Sequence, residues 1–147
     1  MELLLGAAVI AFVVVACFLI RYINKSTLKD VVFKDRSVVK AGCMGNELCN
    51  KYSDCLASNE ISCITFTDPE KASEFTHLIF LYNDDDKNIE AINNCLKVNS
   101  GAVIYSIVND NNKREEYAKS DVLIIENKND ALSVMYNIIA GLPEAGE

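Results

Sequence analysis

Two glycines three residues apart follow an apolar run in VVKAGCMGNELC, Val38 to Cys49. In the dinucleotide turn G-x-G-x-x-G the first glycine permits a tight turn, the second admits the pyrophosphate to the backbone, and the third lets helix pack on strand. Set on that pattern, Gly42 and Gly45 take the second and third places and Lys40 takes the first. The N–H groups of Cys43 and Met44, at the start of a helix, would then face an anion, and Lys40 would add charge for a phosphate. The Cβ of Lys40 could equally close the turn that a glycine holds open. The segment therefore predicts the fold more firmly than it predicts a ligand.

Other polar groups are weighed in the same way. The acid that takes ribose hydroxyls at the end of a second strand is expected at Phe66, and Asp68, two residues on, is the nearest substitute, with a helix N-cap as its competing role. In YNDDDKN, Asp84 and Asp85 would line a cleft or cap a helix. The calcium-loop reading fails, because its glycine and glutamate positions fall on Asn88 and Asn94. Cys43, Cys49 and Cys55 are six apart, too far for zinc pairs, so no metal is expected and the six cysteines read as small apolar core residues. His77, the single histidine, opens an apolar strand, which favours a hydrogen-bonded structural role. No G-x-S-x-G, H-E-x-x-H or P-loop occurs, and no nucleophile comes with a base. No catalytic residue is expected.

The elements that must position these groups alternate. Segments 37–41, 61–66, 77–82, 102–108 and 121–125 read as strands, several apolar on consecutive residues as in a parallel sheet covered on both faces. One-sided helical stripes lie between them: Leu48, Cys49, Tyr52, Cys55 and Leu56; Ile89, Ile92, Cys95 and Leu96; Leu132, Met135, Ile138 and Ile139. Pro69 suits a helix start in DPEKASEF, and NNKREEYAKS carries a turn or two of helix. The predicted fold is α/β: a doubly wound, mostly parallel, five-stranded Rossmann-like sheet over 31–141, with a tail at 142–147. Ligands of such sheets lie beyond the carboxyl ends of the strands, which gathers the loops 41–46, 67–70 and 83–88.

Of the 147 residues, half are hydrophobic, partly because Leu3 to Ile20 carries no charge. As a helix this run reaches about 27 Å, close to the roughly 30 Å of a bilayer interior. A transmembrane helix is expected over 1–23 and a linker over 24–30. A cleaved signal would want basic residues before the run, and the lipoprotein-like box ending at Cys17 lacks that start too. Arg21, Lys25 and Lys29 follow the span and none precedes it, which predicts the amino end outside and the domain in the cytoplasm, at the inner membrane. Beyond residue 30 the chain has 11 basic and 19 acidic residues, a balance that disfavours nucleic acid.

FKDRSVVKAGCMGNEL, THLIFLYNDDDKNIEAINNCLKVNSGAVIYSIVND and DVLIIENKNDALSVMYNII, in that order, resemble the regulator-of-potassium-conductance domains, also called KTN or Trk-type NAD-binding domains. The resemblance covers about residues 33–140. It implies a homodimer that senses NAD(H) or an adenine nucleotide and regulates a potassium channel or transporter subunit. The residues that would form a nucleotide site in this chain are Lys40, Gly42, Cys43, Met44, Gly45, Asp68, Asp84 and Asp85. The departures are Lys40, Phe66, the missing strand-helix unit before His77, and Ser106 or Ile107 in place of an arginine. They frame an alternative: a degenerate scaffold that binds no nucleotide and acts by protein contact, which an aromatic plug at Phe66 would mark. A nicotinamide oxidoreductase is a third class, without a substrate domain or proton donor to support it.

Overall fold

The computed structural model describes residues 36–142. The expected membrane helix (1–23), the linker (24–30) and the tail from 143 lie outside the described residues. Within Arg36–Gly141, one compact unit, strands β1 (Lys40–Gly45), β2 (Ser62–Thr65), β3 (His77–Leu81), β4 (Val103–Ile107) and β5 (Leu123–Ile125) form one sheet in the order β2-β1-β3-β4-β5. Every neighbouring pair is parallel. The helices are α1 (Leu48–Ala57), α2 (Asp85–Val98), α3 (Arg114–Ala118) and α4 (Ala131–Ala140), with 3₁₀ turns at Pro69–Glu74 and Asn111–Lys113. Among the described residues no helix is long and apolar enough to cross a membrane.

Burial explains the consecutive apolar runs. β3 lies in the middle of the sheet, and Leu78 to Leu81 are all inaccessible to solvent because both faces are covered. On one face α1 packs against α4, over Cys43, Ile79 and Tyr105. On the other, the 3₁₀ turn at Pro69–Glu74 packs against α2, over Met44, Leu78, Phe80 and Ile104. Cys49, Tyr52 and Leu56 form the buried stripe of α1, as the helical spacing predicts. In α4 the stripe is Ala131, Val134, Met135, Ile138 and Ile139, whereas Leu132 is turned out at 53 % exposure. The helix begins at Ala131, and the phase set by the other four leaves Leu132 off the buried face.

The main correction concerns β1. The strand expected at 37–41 begins at Lys40 and runs on through Gly45, so Gly42, Cys43 and Met44 are strand residues and the anticipated turn is strand. Small side chains explain the shift. Ala41, Gly42 and Cys43 fit the crowded interior between β2 and β3, while Val38, a better strand former in isolation, remains exposed in a turn. Gly42 lies under two aromatic rings: a Cβ there would come within 2.7 Å of both Phe66 and Phe75. Those rings pack tilted, 4.8 Å apart.

The strand order reverses between β1 and β3, a topological switch point where ligands of open α/β sheets collect. The order differs from the six-stranded dinucleotide arrangement 3-2-1-4-5-6, because the short 3₁₀ turn links β2 to β3 where another strand and helix would stand.

Candidate functional site

At the switch point β1 ends on Gly45, whose φ of 156° suits glycine and whose absent Cβ would lie 2.6 Å from the carbonyl carbon of Leu81. Close approach of β1 to β3 therefore fixes this glycine. Asn46 makes the turn: its Oδ1 accepts from the Leu48 N–H at 2.9 Å and its Nδ2 donates to Asn83 Oδ1 at 2.8 Å. The N–H groups of Cys49 and Asn50 donate to the carbonyls of Asn46 and Glu47. The opening N–H groups of α1 are thus used within the chain, and an asparagine pair bridges the two loops that an anion would have to part.

Beside the bridge lies a groove of about 350 Å³, bordered by Met44, Thr67, Tyr82, Lys87, Glu90 and Asn94. All three expected loops reach this edge of the sheet. The residues assigned to them are dispersed. Lys40 is the first residue of β1, at the amino end of the strand, where its N–H donates to Thr76 Oγ1. A six-residue strand separates it from the switch point, so it cannot charge a phosphate site there. Cys43 and Met44 spend their backbone groups in the sheet rather than on an anion. Asp68 accepts from the Glu70 N–H and caps the 3₁₀ turn, its competing role. Asp84 caps α2, accepting from the N–H groups of Asp86 and Lys87.

Asp85 is 7 % exposed and belongs to a polar clamp between α2 and the end of β4. Its carboxylate accepts from the N–H groups of Asn109 and Asp110, from Asn109 Nδ2, and from the Tyr117 hydroxyl at 2.7 Å. Burial pushes its pKa up, but these hydrogen bonds outweigh that and hold it below the ordinary carboxylate value. The Tyr117 phenol is pushed up, first by burial and then by the bond to Asp85. One turn on, Asn88 is completely buried: its Oδ1 accepts from the Tyr82 N–H and its Nδ2 donates to the Tyr82 and Ile107 carbonyls. Ser106 Oγ donates to the Phe80 and Ile107 carbonyls. Among the described residues no buried side-chain nitrogen or oxygen lacks a partner. The clamp holds β3, β4 and α2 in register and leaves Asp85 no acceptor to offer a ligand.

Sequence reasoning missed the other members of the clamp. Asn88 carried a signal: it follows Asp85 by three residues and precedes Ile92 by four, which puts an amide in the buried stripe of α2. Ser106 carried another, as the polar residue inside AVIYSIV. Tyr117 and Asn109 carried none, because only the fold brings them to α2.

The His77 ring contacts Thr76 Oγ1 at 2.9 Å at the amino end of β3, its pKa lowered by burial, consistent with the structural role expected of it. Among the described residues no group of three or more His, Cys, Asp or Glu side chains is placed to hold a metal. A scan against protein-family models, a search of curated proteins and a search of solved structures each returned no match.

Proposed function

We propose that residues 36–141 form a Rossmann-like scaffold that works by protein contact and has given up nucleotide binding. The observation that carries this reading is that Asn46 and Asn83 bridge the two loops at the switch point while Phe66 and Phe75 fill the space over Gly42 within β1. Phe66 stands where a ribose-binding acid was expected. The resemblance to regulator-of-potassium-conductance domains supplies the partner class, a potassium or other cation transport subunit, and the charge-free run at Leu3 to Ile20 supplies the anchor that would hold the domain against it. Copurification of the full chain from membranes tests this: a cation permease subunit in the eluate is the expected result, and eluates without one, under conditions that retain known complexes, overturn it.

A second reading, a site for NAD(H) or an adenine nucleotide, has the groove beside Met44, Thr67 and Lys87 in its favour. Thermal unfolding of the full chain with NAD, NADH, ATP and cyclic dinucleotides separates the two. The scaffold predicts no shift in Tm at millimolar ligand, and a saturable rise supports the nucleotide site.

A further inference from the structure

We propose that Cys43 and Cys49 form an oxidant-responsive pair, which hydrogen peroxide converts into an intrachain disulfide across the β1–α1 turn. Cys43 is fixed in the middle of the sheet between Thr65 and Ile79, Cys49 lies in the first turn of α1, and the Cys43 thiol donates to Cys49 Sγ at 2.8 Å. A disulfide needs about 2.05 Å, so the sulfurs must close by only about 0.8 Å. No other pair of thiols among the described residues is in hydrogen-bond contact. Cys63, across the β1–β2 ladder from Ala41, is the nearest rival by register.

The two thiols are unequal. The shared hydrogen bond lowers the Cys49 pKa and raises that of Cys43, which burial raises further, so Cys49 is the nucleophile. Its thiolate attacks one peroxide oxygen and the O–O bond breaks; the departing hydroxide takes up a proton as water, leaving a sulfenic acid on Cys49. The Cys43 sulfur then attacks the Cys49 sulfur, the S–O bond breaks, and the leaving hydroxide carries off the Cys43 proton as a second water. Two thiols are oxidised and one peroxide is reduced to two waters. A dithiol reverses the reaction by exchange.

Cys43 and Cys49 are 0 % and 1 % exposed, so the oxidant enters as the first turn of α1 opens. Glu47 and Asn50, exposed on either side of Cys49, make this a local opening that costs less than unfolding the domain. The inference depends on neither reading of the groove.

Trypsin provides the test, since cleavage after Lys40 and Lys51 releases AGCMGNELCNK, which contains Cys43 and Cys49 and no other cysteine. The purified full chain is treated with hydrogen peroxide, the remaining thiols are alkylated, and the digest is weighed. The expected product is this peptide lighter by two hydrogens, without alkylation, and restored by dithiothreitol. Cys63→Ala should keep the product and Cys49→Ala should lose it. Cys43→Ser should stop at a sulfenic acid on Cys49, trapped by dimedone. Should that variant fail to fold by circular dichroism, the native chain and Cys63→Ala decide the matter. Both cysteines alkylated after treatment, or Cys49 joined to Cys63, overturns the proposal.

Discussion

At the ends of β3 and β4, Asp85, Asn88, Ser106 and Tyr117 knit two strands to α2 with hydrogen bonds of fixed geometry. Along β1 the corresponding work is done by absence: Gly42 makes room for two rings, Gly45 lets two strands approach, and small cysteines fill the space beneath α1. The first region is held by polar saturation and the second by close packing. The difference teaches which errors each tolerates. A clamp fails when a partner is removed, because the groups left behind stay buried and unsatisfied. A packed turn fails when an atom is added.

Asp85→Ala should have the largest effect, about 3 kcal/mol of lost stability by urea denaturation, because it strands two N–H groups and the Tyr117 hydroxyl. Asp85→Asn sharpens the point through pH. A carboxylate with a depressed native pKa contributes fully above its unfolded value of about 3.9, and the contribution is lost as pH falls through the native value. The stability gap between the native chain and Asp85→Asn should therefore be flat at neutral pH and narrow below about pH 4; a constant gap would remove Asp85 from the clamp.

Gly45→Ala should cost roughly 2 kcal/mol, since the added methyl meets the Leu81 backbone and the φ is unfavourable for any L side chain. Gly42→Ala should cost slightly less, on the order of 1–2 kcal/mol, because its obstacles are side chains that can shift. Phe66→Leu should relieve part of that loss in the double variant, and strict additivity would break the account of Phe66 as a plug. Lys40→Ala closes the series, with stability expected to change by less than about 0.5 kcal/mol, since its exposed side chain stands at the far end of the strand from the groove.

The fold was legible where burial writes itself into composition. HLIFLY read as a strand covered on both faces, and the stripes of α1 and α2 announced their buried faces. β1 was misread because propensity favoured Val38 and Val39, whereas the requirement that decided the strand, a channel for small residues between β2 and β3, comes from strands far away in sequence. The same shift puts Gly42, Cys43 and Met44 in a strand instead of a turn. The glycines that looked like a phosphate turn answer to Phe66, Phe75 and Leu81, contacts no local pattern records. Asp68 and Asp84 were legible as caps because capping depends on residues two or three away.

β1 is the first strand among the described residues, yet both of its ladder partners, β2 and β3, come later. As the polypeptide leaves the ribosome, β1 has no lasting neighbour on one side until Thr65 has emerged and none on the other until Leu81 has. From then on growth is outward, with β4 and β5 each added to an exposed margin. The chain up to Leu81 is thus the smallest nascent length that can seat β1 on both sides, and ribosome-bound intermediates stalled before that point should leave β1 open to proteases.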